Sequence, residues 1–201
     1  MQVNGTAAWR QLASRQRTAL QPYVAFVARH QSPAAAIQVA EWCKSNAPTG
    51  LQAKCWLECL KAGTTDTATQ TRVSSEIASL IRKEPADMDL RLDYAQSRIL
   101  MGQYDSADKL LRQIIQYDAR NAGALSKLAW LSLLVRGNAS QSLAYTEKAA
   151  LQGNSSVEVR QMRALALAEN RRTADAMTIL EAIPRNLQTC LLYTSPSPRD
   201  S

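Results

Sequence analysis

The sequence of 201 residues contains one His, one Phe and only seven Gly. A single histidine, His30, disfavours metal centres and catalytic networks that are built from several imidazoles. No uncharged apolar run approaches the roughly 20 residues that a transmembrane helix needs, so we expect no membrane span. Polar residues follow Met1, and no secretory signal is therefore predicted.

The first 40 positions contain no Asp or Glu, and the first acidic side chain of the sequence is Glu41. The whole chain carries 24 Lys and Arg against 17 Asp and Glu, a formal charge of +7. The basic block could bind an anionic partner or a membrane surface, or act as a transit segment. We favour a solvated face of amphipathic helices, because charge runs usually have that role. Beyond Glu41 the signs are mixed, and no nucleic-acid partner is expected. The arginines of this block are Arg10, Arg15, Arg17 and Arg29.

Motifs that support catalysis are scarce. The sequence has no Gly-rich phosphate loop, no His-Glu-x-x-His and no strand that could carry a nucleophile elbow. Two pairs of carboxylates, Asp89 with Asp93 and Asp105 with Asp108, lie about one helical turn apart. We interpret them as ordinary acids near helix N-termini, with a metal or acid–base pair as the alternative. We therefore expect a non-enzymatic chain with no catalytic residue, no cofactor and no metal.

Three of the four cysteines, Cys43, Cys55 and Cys59, are close in sequence. Their spacings of 12 and 4 match no usual zinc pattern, so we interpret them as small buried residues on helix faces. A zinc site made of these three and His30 is the alternative. Cysteines without a secretory signal favour a reducing compartment, and we expect a cytoplasmic protein, or a periplasmic one if the natural N-terminus lies upstream.

The end of the chain differs from the rest in composition. Residues Cys190 to Asp200 read CLLYTSPSPRD, which is loop chemistry. This segment resembles the translation of a common transposase-based sequencing adapter, and a natural disordered tail is the alternative. We therefore set residues 188–201 apart from the fold. The natural reading frame is then expected to continue past about Thr189, which would make the chain a fragment.

Apolar residues recur with the period of an α-helix along most of the sequence. The spacing predicts a helix over 106–117 and another over 90–101, which Gly102 closes. The same two-helix plan is predicted over 124–135 and 140–152. No segment alternates with the two-residue period of a strand, so the predicted fold class is all-α.

Small residues fix the length of the repeated unit at 34 or 35 residues. Small side chains let two helices approach closely, and a helix pair repeated at this period is typical of a solenoid. The equivalent positions are Ala95, Ala129 and Ala164 in the first helices, and Ala107, Ser142 and Ala176 in the second helices.

These residues resemble the tetratricopeptide repeat family. The best match is Ala95…Gly102-Gln-Tyr104-Asp-Ser-Ala107; the next unit has one extra residue in its turn, and the last has Arg171 where the family has Gly. The resemblance covers residues 17–187 and implies a right-handed superhelical solenoid of about five helix hairpins. An N-terminal basic helix or arm, residues 1–16, precedes them. The approximate bounds of the hairpins are 17–50, 54–87, 88–121, 122–156 and 157–187.

The family resemblance also implies a concave groove, lined by the first helix of each unit. Chaperone-binding members hold a carboxylate there with Lys and Asn, but the matching positions of this chain lack both, so that clamp is not expected. The matching positions are Gln21, Ala25, Leu92 and Gln96.

The central groove is instead mildly apolar, and Trp130 is its largest side chain. Such a groove suits an extended peptide or an amphipathic helix of another protein. We expect truncation of Trp130 to weaken binding at little cost in stability, whereas packing against the neighbouring repeat is the alternative. The chain is thus predicted to be a protein-interaction scaffold of unknown oligomeric state. The predicted partner-binding residues are Gln96, Ile99, Trp130, Leu133 and Gln161.

The sequence also fits a second function. The runs Leu128-Ala-Trp-Leu and Leu143-Ala-Tyr-Thr-Glu-Lys-Ala149 are similar to repeats of bacterial envelope polysaccharide and biofilm proteins. The chain would then be the repeat region of a larger bacterial assembly factor or of a repeat-fused enzyme.

Overall fold

The computed structural model describes residues 3–61, 66–151 and 156–184. Within these ranges the chain forms eleven α-helices and no strand, which confirms the all-α fold class. A short 3₁₀ turn precedes α2, and a π-helical segment follows α8. The helices are α1 (Val3–Arg15), α2 (Leu20–His30), α3 (Pro33–Cys43), α4 (Thr49–Lys61), α5 (Thr67–Lys83), α6 (Met88–Leu100), α7 (Tyr104–Tyr117), α8 (Ala122–Trp130), α9 (Ala139–Ala150), α10 (Val157–Glu169) and α11 (Thr173–Glu181).

Side-chain caps determine where most of these helices begin. Asp87 accepts from the backbone N–H groups at the start of α6, and Asn138 accepts from the N–H of Gln141 at 2.9 Å at the start of α9. Such caps satisfy donors that have no partner within the helix. The remaining side-chain caps are Ser32, Asp66, Asn121 and Ser156.

The chain divides into two compact units, residues 1–101 and 102–201. In the first unit, α2 packs against α1, α3 and α4, and α4 also packs against α3, α5 and α6. Trp56, which is fully buried, is the largest side chain of this core. The boundary between the units lies inside the predicted hairpin 88–121, after its first helix.

The second unit repeats one packing relation between consecutive helices. Helix α8 packs against α7, α9 and α10, and α10 packs in turn against α9 and α11. Its core is built mainly from Leu and Ala, and includes Leu111, Leu128 and Leu167, each exposed by 1% or less. Each helix thus covers the apolar side of its neighbours, which no single short hairpin could bury by itself.

The small residues of the repeat are buried, as the sequence predicts. Ala95, Ala129 and Ala164 are 0–1% exposed in the first helices of their pairs. The corresponding residues of the second helices, Ala107, Ser142 and Ala176, are 0–4% exposed. A larger side chain at any of these positions would meet atoms that already fill the interior.

The turns between paired helices repeat with the same period. Gly102, Gly137 and Arg171 have φ angles of 71°, 65° and 61°, and they are the described residues with positive φ. The spacings are 35 and 34 residues, so the backbone takes one left-handed conformation at each equivalent turn. Arg171 takes it without being glycine.

The extra residue of the fourth hairpin lies in a helix, and its predicted place in the turn is wrong. Residues Leu131–Val135 form a π-helical segment, in which the N–H of Arg136 donates to the carbonyl of Leu131 at 3.1 Å. A π turn closes i→i+5 instead of i→i+4 hydrogen bonds, so it holds one residue more than an α turn. The turn at Gly137 therefore keeps its shape, and the spacing grows from 34 to 35.

Candidate protein-binding surface

The five predicted partner-binding residues fall in both units. Gln96 and Ile99 lie on α6 in the first unit, where Gln96 is half-buried and Ile99 is 2% exposed. Trp130, Leu133 and Gln161 belong to the second unit and are 7%, 8% and 5% exposed. Their role in binding is untested and stays a prediction, but most of their surface is engaged in packing.

Trp130 ends helix α8, directly before the π-helical segment. Its ring packs obliquely against Tyr104 of α7, with ring centroids 6.1 Å apart and planes at 48°. Tilted aromatic pairs of this kind are favourable. The indole N–H is buried and has no hydrogen-bond partner among the described residues. Because the ring fills the interior of the second unit, the expectation that its truncation costs little stability is wrong.

Gln21, one of the implied groove positions, forms a polar contact in the first unit. The amide of Gln21 on α2 donates to the carboxylate of Glu58 on α4 at 2.8 Å, and Lys61 donates to the same oxygen at 2.8 Å. Glu58 is 6% exposed, so these bonds compensate a buried charge. Its side chain therefore has a structural role in joining α2 to α4.

Asp108, one of the paired carboxylates, is held by two arginines. Arg112 Nε donates to Asp108 Oδ2 at 2.6 Å, and Arg136 Nη1 donates to Asp108 Oδ1 at 3.0 Å. Burial disfavours the charged form, but the hydrogen bonds from Arg112 and Arg136 outweigh it, so the pKa of Asp108 lies below its ordinary value. Asp105, whose side chain is 96% exposed, lies 3.9 Å from Arg136 and adds little.

The three cysteines Cys43, Cys55 and Cys59 are fully buried free thiols. The hydrogen bond to Cys43, together with burial, raises the pKa of Cys55, and burial raises the pKa of Cys59 to about 12. Both thiols therefore stay protonated at neutral pH, whereas zinc binds thiolates. In the described parts of the chain, no group of three or more His, Cys, Asp or Glu is placed to hold a metal ion.

The basic block of the N-terminal region is exposed. The guanidinium of Arg10 lies over the Trp42 ring, 5.8 Å from its centroid, and His30 lies beside Phe26 with ring centroids 4.8 Å apart. Exposed arginines of this kind interact weakly with their surroundings in water.

Among the described helices, none is both long and apolar enough to cross a membrane.

Sequence reasoning overlooked one further feature of the second unit. A cleft between α10 and α11 contains the side chains of Arg160 and Arg163 beside aliphatic residues. The signal in the sequence is the run Val159-Arg-Gln-Met-Arg163, which places two cations one helical turn apart. Their surroundings could not be read from the sequence, because they depend on the packing of α9 and α11.

Comparisons with known proteins give limited similarity. No protein-family model matches the chain, and no curated protein matches it. A crystal structure of the MamA protein is similar over 74% of this chain and 88% of that chain, with 11% identity and a TM-score of 0.48. A structure of MamA MSR-1 is similar over 86% and 93%, with 16% identity and a TM-score of 0.44. Similarity at this level carries no argument about function.

Proposed function

We propose that the chain is a non-catalytic scaffold that binds another protein through the surface of its helical repeats. The observation that carries this proposal is the recurrence of one left-handed turn at Gly102, Gly137 and Arg171. Tandem hairpins of this kind present equivalent helix faces side by side, and their extended surfaces are typically used to bind proteins.

The chemistry of the buried charged groups supports a role without catalysis. Asp108 is engaged by Arg112 and Arg136, and Glu58 is engaged by Gln21 and Lys61. These carboxylates stabilise contacts between helices, so a role in moving protons is not needed to explain them. The free thiols further support our proposal of a reducing compartment such as the cytoplasm.

The π-helical segment supports placing the partner near Trp130 and Leu133. Single π turns inside helices occur frequently at functional sites. Trp130 lies directly before this segment and keeps 7% of its surface exposed, and Trp is enriched among the side chains that dominate binding. The second candidate function is that of a repeat region within a larger envelope or biofilm protein. Such a protein would contain further domains, so the reading frame of the intact gene distinguishes the two functions.

Replacing Trp130 by Phe tests this surface while an aromatic ring is retained at the position. Peptides would be selected from a random display library on the immobilised full chain, and their Kd measured for the parent and the W130F variant. We expect W130F to weaken binding by about 1 kcal/mol or more, roughly fivefold, because it removes part of the indole surface that a peptide would contact. The melting temperature should fall by a few degrees, because the smaller ring leaves buried space empty, so binding is measured well below it.

Trp42→Phe is the matched control, because it removes an indole at a half-buried position of the first unit. The W42F variant should bind the selected peptides with the same Kd as the parent. If the selected peptides bind W130F as tightly as the parent, the proposed surface is not at Trp130.

A further inference from the structure

A cleft of about 250 Å³ lies in the second unit, between α10 and α11 at the end of α9. It differs from the surface near Trp130, since its residues come from other turns and helices. Aliphatic side chains, one threonine and two arginines form its walls. These residues are Ala150, Val159, Arg160, Arg163, Thr178, Ile179 and Ala182.

The two arginines of the cleft differ from three other arginines of this unit. Arg160 and Arg163 are half-buried, and the Nε atom of each is buried without a hydrogen-bond partner among the described residues. Neither forms an ion pair with the described residues, whereas Arg112, Arg136 and Arg172 each pair with an aspartate. Two cations one helical turn apart are thus left with unused donors.

Leaving these donors unused is unfavourable. A buried N–H that finds no acceptor loses its hydration without compensation, and two nearby like charges repel each other. The residues lining the cleft include no carboxylate that could relieve either effect. An anion supplied from outside the chain would relieve both, because a guanidinium can hold a carboxylate with two parallel hydrogen bonds.

The aliphatic walls indicate what carries this anion. Val159, Ile179 and Ala182 offer apolar surface beside the guanidinium groups, and a hydrated inorganic ion could not use it. A carboxylate on a short aliphatic stem uses both parts of the cleft, since its methylene groups are buried while its oxygens accept.

We propose that the cleft binds the side chain of a Glu in an acidic, Leu-containing segment of a partner protein. The carboxylate lies against Arg160 and Arg163, and its aliphatic neighbours pack on Val159 and Ile179. This proposal rests on the proposed function as a protein-binding scaffold, but it concerns a different face from Trp130. The two can therefore fail separately.

The experiment uses the full chain with ¹⁵N-labelled arginine and a peptide probe, acetyl-Ser-Leu-Glu-Leu-Ser-amide. The Nε–Hε signals of Arg160 and Arg163 are assigned from their absence in the R160Q and R163Q variants. Titration with the peptide should shift both signals, because a carboxylate acceptor deshields the bonded proton. The matched peptide with Gln in place of Glu has the same size without the charge, and it should not shift them.

The variants also test affinity. R160Q and R163Q should each weaken binding of the Glu peptide by roughly tenfold, as expected for a charge-assisted hydrogen bond. R163K should weaken it too, because an ammonium cannot make the paired contact. Arg120→Gln, at an exposed position of the same unit, is the control for net charge and should bind as the parent does.

The outcomes separate the possibilities. The proposal is overturned if millimolar Glu peptide leaves both arginine signals unchanged, or if the Gln peptide binds equally well. Inorganic phosphate that competes as effectively as the peptide would also overturn it, by revealing a general anion site. Retained binding of the Glu peptide by W130F is expected, and this result would support the cleft even if the Trp130 surface fails its own test.

Discussion

The two units of the molecule use different means to pack short helices. Each unit buries two aromatic side chains, Tyr23 and Trp56 in the first and Trp130 and Tyr145 in the second, so aromatic content does not separate the two cores. The second unit relies on Leu and Ala at equivalent positions and on one recurring turn. All described residues with positive φ belong to the second unit. The second unit thus repeats one turn at a fixed spacing, whereas the described turns of the first unit share no such conformation.

The largest expected effect tests the core of the first unit. Trp56→Ala should lower the free energy of unfolding by about 3–5 kcal/mol, because it leaves a cavity that rigid neighbours cannot fill. Urea unfolding followed by circular dichroism measures this loss. Tyr117→Ala, at a position that is 74% exposed, should change the same quantity by less than about 0.5 kcal/mol. Comparable losses in both variants would contradict the assignment of Trp56 to the core.

An intermediate effect is expected at the ion pair of the second unit. Asp108→Asn should destabilise the chain by about 2 kcal/mol at pH 7, since it weakens two charge-assisted hydrogen bonds from arginines. Asp105→Asn is the matched control, because its exposed carboxylate has only a distant partner, and it should have little effect.

The lowered pKa of Asp108 predicts how the free energy of unfolding depends on pH. The pKa of Asp108 is lowered by folding, so its contribution is present above the unfolded pKa of about 3.9 and is lost as pH falls through the folded pKa. Unfolding free energies measured between pH 6 and pH 2 should therefore fall less steeply for D108N than for the parent below about pH 4. Parallel curves would show that Asp108 titrates equally in both states.

The smallest effect concerns the recurring turn. Arg171→Gly should raise the free energy of unfolding by about 1 kcal/mol, because glycine adopts positive φ without the steric cost of a Cβ atom. The reverse change, Gly137→Arg, should lower it by about the same amount, and a Cβ at Gly137 meets no atom within 4 Å. Thermal unfolding of the two variants compares them directly. Changes of the same sign would refute the equivalence of the two turns.

The sequence predicts much of the second unit because its packing follows a simple period. Ala129 and Ala164 could be identified from spacing alone, since helix pairs of equal length place equivalent residues at equal intervals. The π-helical segment could not be located, because one extra residue satisfies the same spacing whether it lies in a helix or in a turn. Only the i→i+5 hydrogen bond of Arg136 distinguishes the two.

The candidate sites were harder to predict. The sequence identifies Trp130 as a large side chain on the groove face. Its burial depends on the contact with Tyr104, which the spacing of apolar residues does not reveal. The cleft of Arg160 and Arg163 is formed by residues from three helices, so its shape follows from tertiary packing. Two arginines one turn apart on a helix indicate an anion-binding cleft only when the packing of the neighbouring helices is known to bring no carboxylate to them.

The buried thiols of the first unit provide a means of timing its motions. Because Cys55 and Cys59 are fully enclosed and their pKa values are raised, an alkylating reagent can attack them only after the surrounding helices separate. Their rate of labelling in the absence of denaturant therefore reports how often the first unit opens. Among the described residues the free cysteines all belong to the first unit. Cys190, which lies outside the described residues, is replaced by Ser so that every labelled thiol reports on the first unit.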